Sequence, residues 1–166
     1  MKAILMSIKP KWVKEILNGN KTIEIRKRFP KDYVGWVYIY CTKDKNYANL
    51  INRGGFLTGM VVARFWCDKV EEYVNGCKWS WISGSTMWGA CNGYEYILKD
   101  TCLTEDELYD YCEDLSFSAI HITKLEIFDK PLKLINFSTL KSNKGYMVKT
   151  YRPVMKAPQS WQYINL

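Results

Sequence analysis

Histidine is almost missing from this chain: His121 is the only one among 166 residues. Any metal centre or acid–base pair that relies on two imidazoles is therefore excluded. The six cysteines, Cys41, Cys67, Cys77, Cys91, Cys102 and Cys112, include no C-x-x-C pair. Structural zinc sites usually bring their thiolates in closely spaced pairs, so neither a metal nor a cofactor is expected. No apolar run approaches the ~20 residues that cross a bilayer, and no membrane partner is expected. The start, Met1 to Lys9, lacks the long apolar stretch and small-residue cleavage site of a signal peptide. These absences point to a cytoplasmic protein whose cysteines are free, buried and small rather than bridged. Low-complexity tracts, internal repeats and long Pro/Gly/Ser linkers are missing too, so residues 1–166 are read as a single domain.

What is present is an apolar fraction of 48%, ample for one continuous core, and a net charge of +7 that is unevenly spread. Residues 1–31 carry +7, 32–99 carry +1 and 100–129 carry −8, while 130 to the end holds seven basic side chains and no acid. If the two basic ends meet in space they form one positive surface suited to phosphates. A solvated lysine-rich face is the ordinary alternative.

Residues 2–8 read as a first strand, followed by a helix that starts at Pro10 and turns Trp12, Val13, Ile16 and Leu17 inward. Asn18-Gly19-Asn20 stops it, with Gly19 suited to a left-handed cap. Thr22 to Arg28 alternates as a strand, with Ile23 and Ile25 on one face and Thr22, Glu24, Arg26 and Arg28 in a row on the other. Val34–Cys41 and Phe56–Val70 read as strands, with a helical turn at 44–52 between them. Thr104-Glu105-Asp106-Glu107 is a capping box that opens a helix to about Glu113. Further strands are expected at 118–128, 132–137, 145–149 and 161–164. The fold class is mainly β (α+β), and about six strands with short flanking helices suggest a barrel, since closure removes exposed edges.

The segment richest in chemistry is Gly19-Asn20-Lys21-Thr22-Ile23-Glu24-Ile25-Arg26. In a regular strand Lys21 would face away from Glu24 and Arg26, so the three charges converge only if Lys21 sits in the loop before the strand. Converged, Glu24 stabilises both cations, Arg26 grips a phosphate or base edge in two-pronged fashion, and Lys21 acts as a point charge. From spacing alone, an ordinary surface ion pair is the commoner outcome.

At these residues the chain resembles the ASCH domains of the PUA-like superfamily, whose hallmark G-x-K-x-x-E-x-R is matched by Gly19, Lys21, Glu24 and Arg26. The likeness continues through Ser7-Ile8-Lys9-Pro10, Arg28-Phe29-Pro30 and Val37-Tyr38-Ile39-Tyr40-Cys41. It returns at Ala119-Ile120-His121-Ile122, Asp129-Lys130-Pro131 and Ala157-Pro158-Gln159-Ser160-Trp161. The resemblance implies a PUA-like β-barrel with a short helix over a basic cleft. In that cleft Lys9, Lys21, Glu24, Arg26 and Arg28 would contact RNA or a nucleotide, with DNA as the alternative polyanion.

Some similar bacterial proteins are amidohydrolases acting on N4-acetylcytidine through the motif lysine and a threonine three residues later. Lys21 matches, but the threonine position is Glu24, so an enzyme here would use Lys21 and Glu24 as catalytic groups. A carboxylate cannot replace a hydroxyl nucleophile, although it can act as a base on water. Ribonuclease activity is a further reading of the same resemblance. Tyr38 and Tyr40 lie where relatives line the cleft.

The aromatic-rich insertion at about 74–100 carries Trp79, Trp81, Trp88, Tyr94 and Tyr96, rings able either to stack on an unpaired base or to cover the barrel's open end. His121, alone on its strand, reads as a hydrogen-bonded structural residue rather than a general base.

Overall fold

Strand pairing and packing gather the chain into two compact units, one formed by Met1–Leu17, Gly35–Trp66 and Lys124–Leu166, the other by Asn18–Val34 and Cys67–Thr123. The structure is a computed structural model that describes residues 2–44, 58–78, 93–142 and 149–166. In chain order its elements are β1 (Lys2–Ile8), α1 (Pro10–Leu17), β2 (Ile23–Arg26), β3 (Gly35–Cys41), β4 (Val61–Cys67), β5 (Val70–Val74) and β6 (Cys77–Lys78). There follow α2 (Glu95–Thr101), α3 (Glu105–Tyr111), β7 (Phe117–His121), β8 (Thr123–Leu132), a 3-10 turn at Leu134–Asn136, β9 (Ser138–Ser142), β10 (Lys149–Pro153) and β11 (Trp161–Asn165). The protein is thus mainly β with three short α-helices among the described residues.

The first unit carries a seven-stranded sheet in the order β10-β9-β11-β1-β3-β4-β8. β1 is buried from Ala3 to Ile8, the near-continuous apolar run of a strand covered on both faces. It runs parallel to β3, with Leu5 opposite Tyr38, and antiparallel to β11, with Lys2 opposite Asn165. The two ends of the sequence therefore do meet. Ala3, Leu5, Tyr38, Tyr40, Val61, Phe137, Val154 and Ile164 make its core. α1 buries Val13 and Ile16, and the Lys9 carbonyl accepts from the Trp12 and Val13 amides at its start. Gly19, at φ 76°, lies just beyond its end, where a left-handed residue was expected.

The second unit carries a four-stranded sheet, β2-β7-β5-β6. Its core joins Ile23, Ile25, Tyr73, Phe117 and Ala119 of the strands to Ile97 of α2 and to Leu108 and Cys112 at α3 and its cap. The capping box forms as read: the Thr104 hydroxyl accepts from the Glu107 amide, and the Glu107 carboxylate from the Thr104 amide. Among the described residues no pairing closes either sheet on itself: eleven strands form two sheets where one barrel of about six strands was expected.

Several elements differ from their reading in the sequence. Of the long strand expected at Phe56–Val70, β4 takes Val61–Cys67 and ends at Asp68-Lys69; β5, which begins at Val70 and pairs in the other sheet, was not read from the sequence. The strand expected at 118–128 splits into β7 and β8 at Ile122, and Lys124, second in β8, adopts φ 44°. In place of a strand at 132–137 stands the 3-10 turn, held by the Lys133 amide donating to Asn136 Oδ1 at 3.0 Å. Helix α2 falls inside the expected insertion, and with seven residues it is too short to display a helical period. The expected turn at 44–52, most of the expected strand at 145–149, and Trp79, Trp81, Trp88 and Cys91 lie outside the described residues. Among the described residues no helix is long and apolar enough to cross a membrane.

Candidate functional site

Gly19 ends the first helical segment, and the chain enters β2 only at Ile23, so Lys21 sits in the connecting loop. That loop is pinned on both sides: the Thr22 amide donates to the Asp100 carbonyl and the Ile122 amide to the Thr22 carbonyl, each at 2.9 Å. The Thr22 side chain is exposed, whereas Lys21 is turned inward toward the end of α2. There Lys21 Nζ donates to the Thr101 carbonyl at 2.5 Å, a cation placed against the negative end of a helix.

From its other side the ammonium meets Glu24 Oε2 at 3.5 Å, and Glu24 Oε1 lies 3.0 Å from Arg26 Nη2. Lys21, Glu24 and Arg26 therefore form one ladder in which two cations share a carboxylate. The side chains are 2%, 6% and 12% exposed, which sets this ladder apart from a surface ion pair. Arg26 is its most open member.

The β2–β7–β5 register extends this polar face. Arg26 lies opposite Ser118, and Ser118 opposite Glu72. Opposite residues share a face, as do residues two apart, so Glu24, Arg26, Ser118 and Glu72 project together, away from the Ile23 and Ile25 side. Ser118 Oγ donates to Glu72 Oε1 at 2.7 Å, and Lys31 Nζ stands 3.7 Å from Glu72 Oε2. Ser118 and Glu72 were not singled out from the sequence. The available signals were a lone hydroxyl inside the apolar run Phe117-Ser118-Ala119-Ile120 and adjacent acids inside the strand Val70–Val74.

On the opposite face of the same sheet, His121 Nε2 is 3.7 Å from Glu71 Oε1, and Glu71 also meets Lys69 Nζ and the Tyr73 hydroxyl. Burial, with the Glu71 carboxylate beside it, pushes the Tyr73 phenol up to about 12. Of the remaining expected ligand contacts, Arg28 is exposed just past β2 and Lys9 is exposed at the head of α1 in the first unit. Tyr38 and Tyr40 are core residues of that unit, and the Tyr38 hydroxyl accepts from Arg64 Nη1 at 3.1 Å. Cys41, Cys67 and Cys112 are buried free thiols, pushed by burial up to about 12, 12 and 11, so none is a thiolate nucleophile near neutral pH. Among the described residues no group of three or more His, Cys, Asp or Glu side chains is placed to hold a metal ion.

Two mostly antiparallel sheets with a buried cation–carboxylate ladder define a β-rich protein built around a polar strand face. Solved structures place that fold. The ASCH protein of Zymomonas mobilis superposes with a TM-score of 0.62 at 16% identity, covering 98% of this chain and 87% of that one. Two mutants of the same protein give TM-scores of 0.60 and 0.61 at 15% and 16% identity, covering 99% and 98% of this chain and 91% and 88% of theirs. The chain has the fold of an ASCH domain. No family model matches the sequence, and no curated protein does.

Proposed function

We propose that this protein binds RNA or a nucleotide, single-stranded or carrying a modified base, at the Lys21–Glu24–Arg26 ladder. The observation that carries this reading is the ladder itself: two cations held on one carboxylate, almost out of water, with the guanidinium outermost. A guanidinium has five donors in a fixed fork, so it can hold a carboxylate and a phosphate or base edge together. The likeness to ASCH structures supports a nucleic-acid role. The same reading takes residues 1–166 as one PUA-like domain built on a barrel and places it in the cytoplasm, with DNA as the alternative ligand.

Filter binding of RNA at ~50 mM salt tests it, because phosphate contacts release counterions and retention should fall steeply by ~200 mM. Arg26→Ala is expected to weaken binding about 10- to 100-fold, the range for hydrogen bonds to charged groups. No retention of any RNA or DNA at ~50 mM salt would sink the proposal.

A hydrolase acting on a modified nucleoside such as N4-acetylcytidine is the second reading, favoured by the Ser118 Oγ to Glu72 hydrogen bond in one row with Arg26. A hydroxyl donating to a carboxylate is the arrangement of an activated nucleophile; Arg26 stands opposite it, and Lys21 joins the row only through the Glu24 carboxylate that it shares with Arg26. Release of cytidine from N4-acetylcytidine, abolished by Lys21→Ala and by Ser118→Ala, would establish it. No product from a panel of acylated nucleosides leaves binding alone.

A further inference from the structure

The motif-bearing unit does not itself carry the net positive charge that draws in a polyanion from a distance. Residues 18–34 and 67–123 hold eight Lys or Arg against thirteen acids, a net −5, whereas the unit around β1 holds sixteen against four, a net +12. Long-range attraction for a phosphate chain therefore resides in the first unit.

That unit also gathers a layered group of rings and cations from three neighbouring strands. On β4 the guanidinium of Arg64 lies over the Trp36 ring of β3, its Cζ 4.1 Å from the ring centroid. Trp36 and Trp66 meet edge to face at 5.4 Å, and Lys124 of β8 places its ammonium 5.9 Å from the Trp66 centroid. The guanidinium plane is set from two more sides, by Glu126 Oε2 at 2.7 Å and by the Tyr38 hydroxyl at 3.1 Å. Trp36, Arg64 and Trp66 are half-buried and Lys124 is exposed, so the group reaches water while its geometry is held by the sheet beneath. Lys124 adopts φ 44°, a left-handed conformation costly for a residue with a Cβ, at the position that sends its ammonium toward Trp66.

We infer that Trp36, Arg64, Trp66 and Lys124 form a stacking platform for unpaired bases of a single-stranded nucleic acid. A flat base fits as the next layer against an indole or a held guanidinium plane, and every base has such a face, so recognition is tolerant of sequence. The adjoining phosphates meet Lys124 and the surplus positive charge of this unit. A protein ligand fits less well, because a strand-edge partner needs neither stacked cations nor a net +12. The platform uses none of the ladder's residues and does not rest on that reading.

Fluorescence anisotropy with labelled 12-mer single strands, RNA and DNA of one sequence, and with the matching duplex tests the inference. Trp66→Ala is expected to weaken both single strands by about 5- to 150-fold, the value of one stacked base. Duplex binding should be unchanged, since paired bases offer no free face, and Trp66→Phe should keep most of the affinity. Equal losses on single strand and duplex, or wild-type binding by Trp66→Ala, overturn the platform. Should Trp66→Ala fail to fold, the exposed Lys124→Ala decides: the slope of log affinity against log salt must fall by about one, and an unchanged slope overturns the inference. Loss on Arg26→Ala with none on Trp66→Ala removes the platform and leaves the ladder standing.

Discussion

In the acidic unit the ions that matter are inside. Lys21 and Glu24 are 2% and 6% exposed, whereas in the basic unit Arg64 and Glu126 make their pair at 30% and 46% exposure. The difference separates two uses of charge. A desolvated pair is costly to form and costly to break by removing one partner, so its members stay together. A hydrated pair is weak and adjustable, while the net charge around it acts over about a Debye length, ~10 Å at 0.1 M salt. The acidic unit thus has the means to orient a small group, and the basic unit the means to gather a long anion.

The sharpest way to break this contrast is to remove the shared carboxylate. Glu24→Ala leaves Lys21 and Arg26 buried without it, and loss of one partner from a buried ion pair costs about 3–5 kcal/mol. Urea denaturation at pH 7 should show that fall, with Glu24→Gln smaller because an acceptor oxygen remains. A loss below ~1 kcal/mol would mean that water reaches the ladder and that the two units hold their ions alike.

Alkali should stress both units together. Burial pushes Cys41 in the basic unit and Cys67 in the acidic one from the ordinary 9.0 up to about 12. Above pH 9 the unfolded chain releases these protons while the folded one keeps them, so the unfolded state binds fewer protons and stability falls as pH rises toward 12. The stabilisation is complete below pH 9. Each thiol should account for about 1.4 kcal/mol of loss at pH 10. Urea midpoints at pH 7 and 10 measure the fall, and Cys41→Ala should remove one thiol's share. An undiminished fall in that variant would assign it to other groups.

Local signals carried far in this sequence. β1 matches its expected bounds, Pro10 opens α1, the Thr104 box caps α3, and the alternation of Ile23 and Ile25 against Glu24 and Arg26 predicts which face is polar. Convergence of the three charges required Lys21 to sit in the loop before β2, and it does. What stayed hidden is non-local. Glu72 becomes Ser118's neighbour only because β5 pairs with β7, and the Trp36, Arg64, Trp66 and Lys124 group exists only because three strands distant in sequence lie side by side. The charge profile along the chain showed basic ends and an acidic stretch at 100–129. Its sorting into one unit of +12 and another of −5 depends on where residues 18–34 fold, which no composition reveals.

The smallest expected effect tests the other side of the contrast. Glu126→Ala removes the carboxylate 2.7 Å from Arg64 Nε, yet the guanidinium keeps the Tyr38 hydroxyl and the Trp36 ring, and water replaces the lost acceptor. Stability should therefore fall by less than ~1 kcal/mol at 0.1 M salt. The fall should shrink further at 1 M, where the Debye length is ~3 Å. Paired urea titrations at the two salt concentrations read this directly. A salt-independent loss of ~3 kcal/mol would make the Arg64–Glu126 pair a buried ion pair in energetic terms, and the division of labour between the two units would fail at its basic end.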